Sequence, residues 1–143
     1  MLAWRICRRA FADLSGEGAR RLGGRWNSPD RAVVYAADAA ALAVLKVRVH
    51  LDLDWSLLPA DSVLVAIDFD ALSVERVETP PSDMTAFGDA WIAAGRSAVL
   101  SVPSVIVPES RNLLLNPAHR EAGRATIAAI RPFAFDGRLW RPA

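Results

Sequence analysis

Apolar and polar positions along the chain predict a mixture of strands and helices. Short apolar runs bounded by turn-forming residues indicate buried strands, and they occur at residues 4–7, 32–36, 63–68, 98–103, 104–107 and 133–136. Longer segments predict helices at residues 39–51, 85–94 and 120–130. Strands and helices do not alternate regularly, so we expect an α+β fold rather than a doubly wound sheet. A chain of 143 residues suits one compact domain, which we expect to span residues 1–143.

The helix predicted at residues 39–51 has a recognisable start and an apolar face. Asp38 is a favourable N-cap residue, because its carboxylate can accept a hydrogen bond from a free N–H of the first turn. Leu42, Leu45 and Val49 fall at helical spacing, and we expect them to pack on the sheet.

A glycine-rich segment at residues 15–29 separates the first two predicted strands. It contains Gly16, Gly18, Gly23 and Gly24 together with three arginines. Glycine permits sharp turns and close approach of the backbone to another group. The segment is therefore predicted to be a loop that turns tightly or lies against a ligand.

Composition and charge exclude several classes of protein. The chain is 52% hydrophobic and 23% charged, as is usual for globular domains, and its apolar runs are too short to span a membrane. The net charge is +1 and no basic run contains interleaved aromatics, which argues against direct nucleic-acid binding. The single cysteine, Cys7, and an N-terminus without a secretion pattern predict a cytoplasmic protein.

Common catalytic motifs are missing from the sequence. It has no phosphate-binding P-loop, no G-x-G-x-x-G opening a helix and no G-x-S-x-G elbow, although spacing alone leaves a Ser–His–Asp triad open. His50, His119 and Cys7 show no metal-ligand spacing, so we expect no metal site. We interpret both histidines as surface residues, at a helix end and in a turn.

Arginines beside aromatic residues are the remaining candidates for ligand binding. Arg5 follows Trp4, Arg25 precedes Trp26, and Tyr35 lies in the next predicted strand. Guanidinium groups bind phosphate oxygens through paired hydrogen bonds, and aromatic faces can stack on a cationic ring such as nicotinamide. By themselves, however, these residues favour the simpler interpretation of a surface arginine and core aromatics.

Several segments, in order, resemble the RES domain. They are residues 14–19, Gly23-Gly24-Arg25-Trp26-Asn27-Ser28-Pro29, residues 33–36, residues 102–109, residues 112–119 and residues 132–139. The resemblance covers nearly the whole chain. It implies an ADP-ribosyltransferase-like fold, with a mixed sheet and flanking helices, and the toxin of a RES/Xre (ParT/ParS-like) toxin–antitoxin pair.

The same resemblance implies a substrate, a partner and a set of site residues. The substrate is NAD⁺, either degraded by hydrolysis or phosphorolysis or used to ADP-ribosylate a protein such as phosphoribosyl pyrophosphate synthetase. The partner is an Xre-like antitoxin that blocks the pocket, and nucleic acid is contacted only through that partner. Arg5 and Arg25 would hold the phosphates or ribose, Tyr35 would flank the nicotinamide, and Ser104 would bind its ribose or carboxamide. Residues Trp26 and Asn27 would shape the pocket wall.

One position departs from the family pattern. The family has Ala-Leu-Ala-x-Leu-Glu-Val where this chain reads Ala41-Leu42-Ala43-Val44-Leu45-Lys46-Val47, so Lys46 replaces the family's glutamate. Cleavage of the nicotinamide–ribose bond develops positive charge on the sugar, which a carboxylate stabilises. At an effective dielectric of about 20, two unit charges ~4 Å apart interact by roughly 4 kcal/mol. We therefore expect an impaired enzyme.

Other interpretations of Lys46 and of the chain remain. Lys46 could be an exposed residue of an amphipathic helix, but it is the only lysine beside sixteen arginines and lies in an otherwise apolar run, 39–47. A change from Glu to Lys also needs only one base. The main alternative function is a non-catalytic RES-fold module that acts with its antitoxin as a transcriptional co-repressor. A third is an unrelated small α+β metabolic enzyme.

Overall fold

The computed structural model describes residues 1–50 and 55–141, and these residues form a seven-stranded sheet with three α-helices. The strands are β1 (Leu2–Arg8), β2 (Val34–Ala37), β3 (Ser62–Asp68), β4 (Val74–Arg76), β5 (Val99–Pro103), β6 (Arg111–Leu115) and β7 (Thr126–Pro132). The helices are α1 (Glu17–Leu22), α2 (Ala40–His50) and α3 (Met84–Ala94). The strand order is β4-β5-β6-β2-β1-β3-β7, and only β4 and β5 pair in parallel. The mixed sheet confirms the predicted α+β fold.

The sheet is nearly divided between β1 and β2. β1 pairs with β3 over seven residues, and β2 pairs with β6 over four. β1 and β2, in contrast, share the single pair Trp4↔Ala37. Beyond that pair, residues 5–7 and residues 34–36 belong to neighbouring strands but are not joined by a ladder. We call this opening the sheet junction.

Alternating residues of the central strands build a core on each face of the sheet. Leu113 and Leu115 of β6 pack in one cluster with β1 and β3 residues, whereas Leu114 points to the other face. There it packs with Trp91 of α3 and Trp26 of the glycine-rich segment, both at most 3% exposed. This alternation is the period of two expected of a strand covered on both faces.

The inward face of α2 differs from the predicted one. Leu42 is buried as expected, but Leu45 is 36% and Val49 is 58% exposed. The prediction was therefore wrong for Leu45 and Val49. The face towards the sheet junction instead carries Ala43, Lys46, Val47 and His50. The predicted end of this helix at residue 51 lies outside the described residues.

Helix ends follow local chemistry. α3 begins where the Asp83 carboxylate accepts a hydrogen bond from the Ala86 N–H, and it ends at Gly95 in the left-handed conformation. Both features agree with the predicted helix at 85–94. The Asp38 carboxylate accepts a hydrogen bond from the backbone N–H of Arg111, so it ties the start of α2 to β6.

Several predicted elements were wrong. Residues 104–107 form a turn rather than a strand, and residues 133–136 are irregular. The predicted helix at 120–130 is a short 3-10 turn followed by β7, whose alanine and isoleucine residues are compatible with either structure. β4 and the central strand β6 were not predicted, and the glycine-rich segment contains α1.

Close packing of α3 fixes the glycine-rich segment over the sheet. A Cβ atom at Gly88 would lie 1.7 Å from the Trp26 carbonyl oxygen, so only glycine fits at this contact. Asp89, the next residue, accepts hydrogen bonds from the backbone N–H and the hydroxyl of Ser28.

None of the described helices is long and apolar enough to cross a bilayer.

Candidate functional site

Two adjoining pockets open at the sheet junction. The first, of about 330 Å³, lies between β1 and α2. The second, of about 370 Å³, lies between the glycine-rich segment, α2 and β6. Tyr35, Lys46 and His50 line both pockets, so we treat them as one site, the junction cleft. Each volume is within the range of small-molecule sites.

Arg5 lies on the β1 side of the junction cleft. Its Nη1 atom donates hydrogen bonds to the carbonyl oxygens of Phe11, at 3.0 Å, and Asp13, at 2.9 Å. These bonds hold the guanidinium against the pocket wall. Within the described chain, its Nε and Nη2 atoms make no hydrogen bond, so part of its donor fork remains available to a ligand.

Arg25 lies on the opposite side of the cleft, near the end of the glycine-rich segment. Its side chain is exposed and lines the second pocket. The backbone carbonyl is held by the Thr85 hydroxyl at 3.0 Å, which connects this residue to α3. No carboxylate of the described residues forms an ion pair with Arg25. Its guanidinium is therefore free to meet an anion.

Tyr35 forms the floor where the two pockets meet. Its hydroxyl accepts a hydrogen bond from the Trp26 N–H at 3.1 Å and donates one to Asn27 Oδ1 at 2.6 Å. Burial raises the pKa of Tyr35 to about 12, so the hydroxyl stays protonated at neutral pH. A Cβ atom at Gly24 would lie 2.8 Å from the Tyr35 oxygen, which explains a glycine there.

Trp26 and Asn27 shape the cleft mainly by holding its wall. Trp26 lines the second pocket but is only 3% exposed, and its ring packs edge-on against Phe87. Asn27 is 1% exposed and does not line either pocket. Its Nδ2 atom donates to the carbonyl oxygens of Ala19 and Arg31, both at 2.9 Å. The asparagine thus fixes the segment that carries Arg25.

Lys46 occupies the centre of the junction cleft. It lies on the inner face of α2 and lines both pockets. Burial, and to a smaller extent the charge of Arg5, lowers the pKa of Lys46 to about 8. The amine is therefore mostly protonated at pH 7. Neither pocket has an Asp or Glu among its described lining residues, so no acid of the wall compensates this charge.

The structure does not bring Ser104 to the cleft. Ser104 is 2% exposed and follows β5, in the turn that replaces the predicted strand. Its hydroxyl accepts hydrogen bonds from the backbone N–H groups of Ile106, at 3.1 Å, and Val107, at 3.2 Å. In this structure the serine stabilises its own turn.

Two polar residues of the cleft were missed by sequence reasoning. His50 was interpreted as a surface residue, and it is exposed, but it also lines both pockets one helical turn after Lys46. That four-residue spacing was the available signal. Asn112 lines the second pocket, and its buried Oδ1 atom has no hydrogen-bond partner among the described residues. It lies on β6, a strand that the apolar pattern did not reveal.

His119 differs from its predicted setting. It lies near a turn, as expected, but it is only 9% exposed. Its Nδ1 atom accepts a hydrogen bond from the Glu121 N–H at 3.0 Å, so it has a structural role. The described residues contain no cluster of His, Cys, Asp or Glu able to hold a metal ion.

Comparisons with known proteins agree on one family. The RES domain family model matches residues 2–136. The chain is 40% identical over 158 residues to a Prs ADP-ribosylating toxin of Sphingobium sp. (strain YBL2), an alignment that covers 98% of this chain and 97% of that protein. It is 36% identical over 149 residues to a Toxin Res of Pseudomonas putida (strain KT2440), covering 98% of this chain and 100% of that protein.

A solved structure has the same fold. The crystal structure of the M. tuberculosis MbcT–MbcA toxin–antitoxin complex contains a chain that matches with a TM-score of 0.76 and 22% sequence identity. The match covers 97% of this chain and 86% of that chain.

Proposed function

This chain belongs to the RES domain family, and we propose that it is the toxin of a toxin–antitoxin pair, with an NAD⁺-binding cleft whose activity is impaired by Lys46. The observation that carries the proposal is the junction cleft itself. Arg5 and Arg25 lie on its two sides, Tyr35 lies on its floor, and Lys46 lies between them. A relative of similar length is an ADP-ribosylating toxin.

The two guanidinium groups suit the anionic centre of a dinucleotide. Each has hydrogen-bond donors that the described protein atoms leave unused. Paired N–H donors match the geometry of phosphate oxygens, and they bind best where water is partly excluded. We place the pyrophosphate of NAD⁺ between Arg5 and Arg25, with the ring of Tyr35 beneath the nicotinamide riboside.

Lys46 makes the cleft unfavourable for the bond cleavage. As the nicotinamide–ribose bond breaks, the ribose acquires cationic character, and an adjacent carboxylate would lower the barrier. Two unit charges ~4 Å apart at an effective dielectric of about 20 interact by roughly 4 kcal/mol, which corresponds to about a thousandfold in rate. Replacing a negative charge by a positive one removes the attraction and adds a repulsion, so the loss is larger.

For the unimpaired cleft we favour two fates of the ADP-ribosyl group. One is transfer to a protein such as phosphoribosyl pyrophosphate synthetase, which is supported by the similarity to the Prs ADP-ribosylating toxin of Sphingobium. The other is transfer to water or phosphate, which degrades NAD⁺. The partner that we propose is an antitoxin, which is supported by a chain of the same fold in a toxin–antitoxin complex. Its Xre type is proposed from the RES/Xre resemblance alone.

The test is the Lys46→Glu variant, produced in cells without the antitoxin. We expect cellular NAD⁺ to fall and growth to stop, whereas the natural chain and a Lys46→Met control leave both nearly unchanged. The Met control separates the gain of a carboxylate from the simple loss of a cation. Normal NAD⁺ and growth with a folded Lys46→Glu protein would contradict the proposal.

A second assay separates the two fates. Purified Lys46→Glu protein is incubated with labelled NAD⁺ and a cell extract. Label retained on a protein band indicates transfer, and free ADP-ribose or its phosphate indicates degradation. The Lys46→Glu variant could produce neither labelled protein nor free ADP-ribose, while the chain with Lys46 still represses its operon together with its antitoxin. That result would favour the alternative function, a non-catalytic co-repressor.

A further inference from the structure

The charges around the junction cleft are all of one sign. Arg5, Arg25 and Lys46 line it, and its described lining residues include no acid. Two acidic side chains close to the cleft in sequence or space have other partners: Glu17 pairs with Arg20 and Arg21 of its own helix. The carboxylate of Asp13 accepts hydrogen bonds from the backbone and hydroxyl of Ser15.

None of these three cations forms an ion pair with a carboxylate of the described residues, and Arg5 only interacts at longer range with the Asp13 carboxylate. Partly buried cations are stabilised when an anion with hydrogen-bond acceptors enters the site. Lys46 adds a compact ammonium with three donors between the two planar guanidinium groups. A ligand with two adjacent phosphates can reach such a set, whereas a ligand that also carries a cation meets repulsion from Lys46.

The uncharged part of the cleft favours a nucleoside. The ring of Tyr35 and the apolar side chains of Trp4 and Ile6 provide flat walls. On the other side of Lys46, Asn112 lines the second pocket, so a polar amide side chain lies beside the ligand there.

We infer that the cleft, with lysine at position 46, selects anionic adenosine diphosphate sugars such as ADP-ribose over NAD⁺. The inference rests on the proposed function for the location of the phosphates. ADP-ribose and NAD⁺ share the ADP-ribosyl part and differ by the pyridinium cation. Lys46 therefore discriminates between them by charge: it attracts the ligand that has lost the pyridinium and repels the one that retains it. The chain binds the product of NAD⁺ cleavage better than the substrate.

Isothermal titration of the natural chain with ADP-ribose, ADP and NAD⁺ at pH 7 tests this selectivity. We expect ADP-ribose and ADP to bind at least tenfold more tightly than NAD⁺. In the Lys46→Met variant the ratio should fall by at least fivefold, because the repulsion of the pyridinium is gone. Equal affinities, tighter binding of NAD⁺, or no binding of ADP-ribose at millimolar concentration would overturn the inference.

Arg48→Met is the matched control for the loss of one cation from α2. Arg48 donates to the Leu139 carbonyl at 2.7 Å and lies over the Trp140 ring, and it does not line the cleft. Its removal should leave the selectivity within twofold, and an equal loss of selectivity would contradict a local role of Lys46. This test measures binding and the Lys46→Glu test measures NAD⁺ consumption, so a failure of the selectivity can be distinguished from a failure of the proposed function.

Discussion

Replacing Lys46 by methionine is expected to stabilise the free protein. Burial lowers the pKa of Lys46 from its ordinary value of 10.5 to about 8. Since one pKa unit corresponds to 1.36 kcal/mol, the protonated amine costs the folded state about 3 kcal/mol at pH 7. This figure is an upper value, because the side chain keeps partial contact with solvent. Methionine has a similar length and no charge, so we expect a gain of about 1–3 kcal/mol in the free energy of unfolding.

The stability gained by Lys46→Met is expected to depend on pH. Because the pKa of Lys46 is lower in the folded chain, the unfolded chain binds more protons between about pH 8 and pH 10.5, and stability rises with pH in that window. The advantage of Lys46→Met is therefore complete below pH 8 and disappears towards pH 10.5. Burial raises the pKa of Cys7 and of Tyr35, so both groups reduce stability as the pH rises. They act equally in both proteins and cancel in the comparison.

Urea denaturation followed by tryptophan fluorescence measures the effect. The unfolding free energies of the natural chain and of Lys46→Met are compared at pH 7, 8.5 and 10. A difference that shrinks steadily with pH supports a buried, protonated lysine. No difference at pH 7, or a difference of the same size at all three values, would show that Lys46 is hydrated and outside the cleft.

Four further variants test other contacts in the structure. Gly88→Ala should destabilise the chain by at least 3 kcal/mol or prevent folding, because the new Cβ would lie 1.7 Å from the Trp26 carbonyl oxygen; thermal unfolding measures this. Arg25→Ala should weaken ADP-ribose binding at least tenfold with little change in melting temperature, because its side chain lines the cleft. Ser104→Ala should lower the melting temperature and leave the affinity for ADP-ribose within twofold, because its hydroxyl stabilises a turn. Titration and thermal unfolding are measured for both variants. Asn112→Leu should leave the free protein as stable or up to about 2 kcal/mol more stable, because it removes an unpaired buried carbonyl, yet weaken ADP-ribose binding, because it removes a polar side chain from the cleft wall.

For each of these variants, a specific result would contradict the role given to the residue. Gly18→Ala is the control for Gly88→Ala, since a Cβ atom there meets nothing within 4 Å; equal losses would exclude the close contact as the cause. Ligand affinity lost in Ser104→Ala but kept in Arg25→Ala would reverse the roles given to these two residues. An Asn112→Leu protein that melts much lower and binds normally would show a structural asparagine.

The sequence pattern predicted correctly an element whose local signals all indicate a helix. It failed for a segment whose residues suit both a helix and a strand. α3 was predicted as a helix at 85–94, and in the structure it spans Met84–Ala94 and ends at Gly95. β7 contains alanine and isoleucine residues that suit a helix locally, and it is a strand because it pairs with β3 along its length. Pairing partners far apart in the chain are invisible to a local pattern.

The candidate site shows the same limit. Arg25 and Tyr35 were found through short motifs of the RES resemblance, and the structure brings them together with Arg5 and Lys46. His50 and Asn112 were missed because their position depends on how α2 and β6 are placed around the junction. Ser104 was expected from the resemblance to bind the ribose or carboxamide, but in this structure its hydroxyl accepts hydrogen bonds within a local turn.

The opening between β1 and β2 separates the architecture of the cleft from its reactivity. Part of the wall consists of strand backbone that stops pairing after Trp4↔Ala37, and a main chain keeps its shape under most substitutions. The reactive character, in contrast, depends on a few side chains that project into the gap. Under the proposed function, a single codon can therefore change the reactivity of the cleft while its framework, and with it any surface that a partner uses, stays the same.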